Sequence, residues 1–210
     1  MYKLAILLLV ALAPSAWAQG DCLSQIKFPA QGSWSEYKAT YNDNPYTVRY
    51  AVVGQEKRGG KELEWVEMRM VGGKDNSIYQ MLVPGTIAEL NQVQEIVFKS
   101  GSQPAMKIGG DMMKMMRGQM GQQSFFGEMC KGVTLAGKEK ITVPGGTYET
   151  LHFKTTEHAS DSWISPEVPF SLVKAAGKTF QVELLQHGDG ATSSIKEKPQ
   201  EMKGMGGLPH

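Results

Sequence analysis

Apolar and polar residues alternate along most of the chain from Trp34 onward, and turn residues interrupt the alternation at short intervals. Segments 34–41, 46–52, 63–71 and 78–83 each place apolar side chains at about every second position. Asn42 to Pro45, Gly59-Gly60 and Gly72-Gly73 separate them, and such residues favour turns. A period of two is typical of half-buried antiparallel strands. The first half therefore predicts a strand meander, with a helical turn over 86–92 and a less regular strand over 93–99.

The same pattern returns in the second half of the chain. Strands are predicted over 138–143 and 148–155, on either side of the turn Pro144-Gly145-Gly146, and then over 161–165, 180–187 and 191–195. Residues 166–174 are predicted to form an irregular connection. So many short strands and so few helices favour a mainly β (α+β) fold, a curved antiparallel sheet or open barrel of about nine or ten strands.

The two ends of the chain lack this pattern. Lys3, an apolar run over 4–13 and the small residues Ala16 and Ala18 are typical of a secretory signal peptide over 1–18, cleaved after Ala18. A lipoprotein signal would need small residues directly before the first cysteine, whereas Cys22 follows Gln19-Gly20-Asp21. From Lys196 no apolar periodicity remains, so we expect one domain over 19–195 and a flexible tail over 196–210.

A methionine-rich segment lies between the two runs of strands. On a helical projection, four side chains share an arc of about 100°: Met112, Met113, Met116 and Met120. Asp111 is a plausible N-cap, and glycines flank the segment on both sides. We therefore predict an amphipathic helix that covers the concave side of the sheet.

Three roles for this helix follow from its chemistry. It could be a fixed plug of the core, or a movable lid over an apolar cavity, since thioether side chains adapt to irregular apolar surfaces. It could also bind Cu(I), because thioethers favour soft metals and Met112, Met113, Met115 and Met116 are spaced three residues apart in two pairs. Trp163, Phe170 and Leu172 are candidates to line the same cavity, although large apolar residues in strands more often serve the core.

The charge balance indicates which partners are disfavoured, and the cysteine content indicates whether a disulfide is expected. There are 22 basic and 21 acidic residues, and loss of residues 1–18 brings the formal charge from +1 to zero. This balance disfavours nucleic acid as a partner. In an oxidising compartment Cys22 and Cys130, the two cysteines, are expected to form a disulfide. Two free thiols or an intermolecular bridge are the alternatives.

The sequence gives little support for a catalytic function. The four histidines are scattered, and the sequence has no HExxH helix, no G-x-S-x-G elbow and no P-loop. We therefore assign no catalytic residues, no cofactor and no resident metal, and we expect a protein that is not an enzyme. The apolar run over 4–13 is too short to span a bilayer, and no later stretch reaches that length, so the mature chain is not expected to cross a membrane.

Several of these features together resemble a known group. The signal peptide, the Trp-containing first hairpin, the mid-chain methionine segment and the run from Asp161 to Lys174, followed by Phe180 to Leu185, are similar to exported bacterial proteins that resemble the LolA/LolB-like superfamily of periplasmic lipoprotein carriers. The resemblance spans roughly 33–195. It implies an unclosed half β-barrel of about eleven strands with a helical lid. Its concave side would accept acyl chains of lipoproteins or other lipids. An arginine inside the cavity is associated with the releasing carrier, and neither Arg49 nor Arg69 matches that role by position.

The sequence thus leads to a hypothesis of a periplasmic, non-catalytic carrier. Its partner would be an apolar small molecule, a lipid or a lipoprotein acyl chain, with envelope membrane proteins as further partners. The alternatives are an envelope structural or protein-interaction module without a ligand, and a Met-rich Cu(I)-binding protein.

Overall fold

A computed structural model describes residues 21–72, 76–85, 92–110, 113, 130, 132–155 and 159–202. Within these ranges the chain has a short helix, α1 (Asp21–Gln25), and twelve strands, and Gly110 and Met113 are helical as well. The strands are β1 (Trp34–Tyr41), β2 (Asn44–Arg58), β3 (Lys61–Val71), β4 (Ser77–Pro84), β5 (Glu95–Ser100), β6 (Met106–Ile108), β7 (Val133–Val143), β8 (Gly146–Thr155), β9 (Ser160–Ile164), β10 (Leu172–Ala176), β11 (Phe180–Gly188) and β12 (Gln200–Glu201).

All twelve strands belong to one open sheet, in the order β12-β6-β5-β4-β3-β2-β1-β11-β10-β9-β8-β7. Neighbours are antiparallel except β12 and β6, which are parallel. Strand β1 lies in the middle, because it pairs with β2 on one side and with β11 on the other. We call β2–β6 with β12 the strapped half, and β7–β11 the folded-over half. The mainly β, unclosed sheet predicted from the sequence is confirmed.

Tight turns set the register of the first hairpins. Asn42 and Asp43, between β1 and β2, both have positive φ angles of 46° and 62°. Gly59 and Gly60, between β2 and β3, have φ angles of 55° and 79°. Two consecutive positive φ angles match the right-handed twist of the flanking strands, which is why Asn, Asp and Gly occupy these positions.

The main core joins both halves of the sheet on its concave side. Val66, Val83 and Ile96 from the strapped half pack in one cluster with Phe153 and Ile164 from the folded-over half. Residues on strands so far apart in the sheet can share one cluster only if the sheet curls. Helix α1 contributes to the same cluster through Cys22, whose sulfur is bonded to that of Cys130. The predicted disulfide is therefore present, and it fixes the N-terminal helix inside the curl.

A second core closes the folded-over half upon itself. The turn between β7 and β8 lies against β11, where the Gly145 amide donates to the Leu184 carbonyl over 2.9 Å. A Cβ atom at Gly145 would lie 3.0 Å from Leu184 Cγ, so glycine permits this approach. The buried members of the cluster are Tyr37, Val143, Tyr148, Val168, Leu172, Val173, Ala175 and Leu184.

The segment 189–202, which we call the strap, crosses the convex face of the strapped half. It follows one row of residues, in which Ala51, Glu67 and Gln80 oppose one another from β2 to β4. The Ser194 amide and hydroxyl donate to Glu67, over 2.8 and 2.6 Å. Ile195 is buried with Val97 and Ala105. The strap ends as β12, which pairs with β6 and covers that edge.

Three sequence predictions differ from the structure here. The strand expected over 191–195 is part of the strap and pairs with no strand, because its polar side chains bond to side chains of the convex face. The tail expected from 196 is ordered as far as 202, held by backbone bonds from Gln200 to Ala105 and from Met202 to Lys107. The irregular connection expected over 166–174 is present over 166–171 but ends in strand β10 from Leu172, and β6 was not predicted. The helical turn expected over 86–92 and residues 203–210 fall largely or wholly outside the described residues.

Candidate functional site: an apolar strip on the concave face

Five large apolar side chains form a row across the concave face of the strapped half. They oppose one another strand by strand from β2 to β6, and we call them the concave strip: Tyr50, Met68, Tyr79, Phe98 and Met106. With neighbouring strands about 4.8 Å apart, the row is about 19 Å long.

Strand alternation places the strip on the same side as the main core. Val66 lies two residues from Met68, Met81 two from Tyr79, and Ile96 two from Phe98. Val66 and Ile96 belong to the main core cluster, and Met81 packs against it. The core row is largely buried, whereas the strip is not, since Tyr79 keeps 38% of its surface exposed and the other four are half-buried. The strip is therefore apolar surface that the described chain leaves partly in contact with water.

Aromatic residues connect one end of the strip to the folded-over half. The Tyr50 ring lies 6.2 Å from Tyr37 and 5.9 Å from Phe170, centroid to centroid. Burial raises the pKa of Tyr50 to about 12 and also raises the pKa of Tyr37. Both phenols are thus neutral at ordinary pH, and this end of the strip carries no charge from them.

A strained loop carries Phe170. Phe170 and Ser171, between β9 and β10, have φ angles of 62° and 60°, a region that bulky side chains rarely adopt. Surrounding hydrogen bonds hold this backbone: Ser165 N donates to Ser171 O, Ser171 N to Val168 O, and the Ser35 hydroxyl to Pro169 O, each over 2.8 Å. Such strain persists only where its surroundings over-determine it. Here it directs Phe170 into the main core next to the end of the strip.

The structure separates the residues that the sequence grouped around one cavity. Met113 is 1% exposed and Phe170 2%, and both lie in the main core cluster. Leu172 lies in the second core instead. Met112, Met116 and Met120 are outside the described residues, as is Met115, so the helical lid and the Cu(I) site stay predictions.

Trp163 lies on the opposite, convex face. The alternation along β9 places Ile164 in the main core and turns Trp163 outward, so Trp163 and Phe170, which the sequence grouped together, lie on opposite faces of the sheet. Its ring stacks on His152 at 4.5 Å, and both ring nitrogens of His152 lie 2.7 Å from a carboxylate oxygen, of Glu139 and of Asp161. Trp163 therefore belongs to a cross-strand polar ladder.

The structure offers no metal centre among the residues that it describes, and a second cleft in that part of the chain is polar. No group of three His, Cys, Asp or Glu side chains there could hold a metal ion. An open cleft of about 360 Å³ lies at the end of β1 and β11, but it is lined mainly by polar residues, namely Thr40, Asn42, Asp43, Lys178, Thr179 and Gln181. No described helix is long and apolar enough to cross a bilayer.

Sequence reasoning missed the concave strip as a site. The alternation assigned Tyr50 and Met68 to one face of their strands, but alternation alone does not say which residues on neighbouring strands stand opposite each other. The signal was present in β3 and β4, where large apolar residues continue past the buried core positions to Met68 and Tyr79. Only the register between neighbouring strands shows that these side chains form one surface.

No protein-family model and no curated protein matches this chain. Among solved structures, a predicted lipoprotein from Parabacteroides distasonis is similar, with 12% identity and a TM-score of 0.37 over 80% of this chain and 100% of that one. A predicted exported protein with a YmcC-like fold from Bacteroides fragilis has 8% identity and a TM-score of 0.33 over 78% and 99%. Similarity at this level transfers no ligand or activity.

Proposed function

We propose that this protein is an extracytoplasmic, non-catalytic binding protein that shields an apolar chain against its concave strip. The observation that carries the proposal is the strip itself, five large apolar side chains in register that remain half-buried or exposed on the concave side. The ligand would be a lipid or the acyl chain of a lipoprotein, as in a carrier of the LolA/LolB-like kind.

The physical basis is exchange of water for apolar contact. Each methylene that leaves water contributes about 0.8 kcal/mol before the cost of ordering the ligand. Met68 and Met106 are unbranched and polarizable, so they can adapt to a flexible chain. The proposed mechanism needs no bond to be made or broken.

The compartment is part of the proposal. The sequence predicts a signal peptide over 1–18, and the described chain contains a buried disulfide. Disulfides persist in oxidising compartments. Both features support a periplasmic location.

The test expresses the full chain with its signal sequence, so that it can be exported, and purifies the mature protein from a periplasm. Lipid extraction and native mass spectrometry should detect a co-purifying acyl lipid, and dansyl-labelled undecanoic acid should bind to the delipidated protein. Tyr79→Asp and Phe98→Asp place a carboxylate on the strip, so each should weaken probe binding about tenfold or more.

Tyr41→Asp is the matched control, because Tyr41 is 56% exposed and lies outside the strip. It should leave probe binding unchanged, with all variants checked for folding by circular dichroism. A protein that is empty as purified and does not bind the probe, or strip variants that bind it as well as the wild type, would refute the proposal.

One observation favours a second candidate, an interaction module without a ligand. Met113 is almost fully buried in the main core, as a seated plug would be. The empty protein described above is the outcome that this candidate predicts.

A further inference from the structure

A second row of residues crosses the convex face beside the strap. Glu36 on β1, Arg49 on β2 and Arg69 on β3 oppose one another in register, and Gln186 on β11 extends the row. The row lies on the face opposite to the concave strip, so any role it has is separate from the function proposed above.

The positive charges of this row outnumber its negative charges. Two arginines stand directly opposite each other, an arrangement that destabilises a sheet when both carry the same charge. Glu36 is the nearest carboxylate, with its Oε2 3.9 Å from Arg69 Nη2, while its Oε1 accepts from the Gln186 amide over 2.8 Å. Arg49 forms no ion pair with any residue in the described ranges. The row therefore has an excess of one positive charge.

Arg49 is held in place without a counter-ion. Its guanidinium carbon lies 4.0 Å from the centre of the Trp34 ring, in a cation–π contact. The Trp34 indole N–H donates to the Asp189 carbonyl at the start of the strap over 3.2 Å, which fixes the ring. The Asp189 carboxylate accepts from the Ser33 hydroxyl instead, over 2.9 Å.

Hydrogen-bond donors in the row lack partners. The Nε atoms of Arg49 and Arg69 are buried and bond to nothing among the residues described, although the Arg69 side chain as a whole is 37% exposed. A buried donor without an acceptor is costly, and a planar guanidinium fork fits the oxygens of a carboxylate or phosphate. The site thus offers oriented donors and one unbalanced charge.

We propose that Arg49 and Arg69 form a binding site for a singly charged phosphoryl group on the convex face. One excess positive charge matches a phosphodiester-type monoanion, and two arginines opposed in register can supply donors to its oxygens. A phospholipid headgroup and a soluble phosphate share this chemistry.

The experiment measures binding of the full mature chain to two probes. One is inorganic phosphate at about pH 6, where the singly charged form predominates, followed by NMR shifts of the arginine Nε–H groups. The other is a vesicle of phosphatidylcholine with or without phosphatidylglycerol, followed by sedimentation. Binding to phosphate alone identifies a soluble ligand, and binding only to the phosphatidylglycerol vesicles identifies a headgroup.

Arg49→Gln and Arg69→Gln should each weaken binding to the responding probe about tenfold or more. Arg49→Lys keeps the charge but loses the fork and should also weaken it. Lys57→Gln on the exposed part of β2 removes the same charge elsewhere and should change binding less than about twofold. Absence of binding to both probes, or an equal loss in Lys57→Gln, would overturn the site while leaving the concave strip untouched.

Discussion

The concave faces of the two halves of the sheet differ in how completely they are buried. The folded-over half curls until the β7–β8 turn reaches β11, and its interior is a closed core around Leu184 and Val173. The strapped half has its convex face covered by the strap, while its concave face ends in a strip that is only half-buried. One end of the sheet thus provides stability, and the other retains apolar surface that the described residues do not completely cover.

The largest expected effect comes from the link that holds the main core between the halves. Replacing Cys22 and Cys130 together with serine removes a bridge between residues 108 positions apart. The chain-entropy model gives a loss of about 4–5 kcal/mol in the free energy of unfolding. Urea unfolding of the variant and of the reduced wild type should agree, and a variant as stable as the oxidised wild type would contradict this role.

A pair of truncations compares the halves directly. Leu184→Ala, at a position with 0% exposure in the closed core, should cost about 3 kcal/mol or more in unfolding free energy, because it leaves a cavity. Tyr79→Ala in the strip should cost about 1 kcal/mol or less, because much of the ring is already in water. Thermal and urea unfolding measure both. Equal losses would mean that the strip is part of the stabilising core.

The smallest of the three effects concerns the strap. Glu67 is buried and accepts from the Ser194 amide, the Ser194 hydroxyl and the Gln80 amide. Glu67→Gln replaces one acceptor with a donor and should cost about 1–3 kcal/mol. Amide hydrogen exchange should accelerate at Ser194, Gln200 and Met202 but not at Gly145 in the folded-over half.

Glu62→Gln is the matched control for this change, since Glu62 is exposed on the same strand. It should leave exchange in the strap unaltered. Faster exchange throughout the chain in Glu67→Gln would show that the strap is not a separate unit.

Local sequence patterns predicted much of the strapped half. Alternation and turn residues located β1 to β4 for two reasons. These strands follow one another through short hairpins, and apolar residues occur at every second position of each strand. The pairing of β1 with β11 could not be predicted in this way, since it joins residues about 150 positions apart. The compartment and the two cysteines predicted the disulfide, because each was the only available partner of the other.

The strap shows why composition misled at the C-terminal end. Residues 196–202 are largely polar, so they resemble a tail that cannot bury a core. They are held because the carbonyls of Ala105 and Lys107 accept backbone hydrogen bonds from them, and because Glu67 on a distant strand holds Ser194 just before them. The concave strip and the arginine row could not be predicted from the sequence either. Each depends on which residues stand opposite each other on neighbouring strands, and no single segment contains that information.

The central position of β1 has a consequence for the synthesis of the chain. A chain that emerges with its N-terminus first can form the hairpins β1 to β5 early, but one edge of β1 has no partner until residues 180–188 arrive. One edge of β6 has no partner strand for even longer, until residues 200–201 have been synthesised. Nascent chains that stall before these points would present two unprotected strand edges, which are templates for aggregation. Protection by chaperones therefore matters most until the last few residues of the sheet have been synthesised.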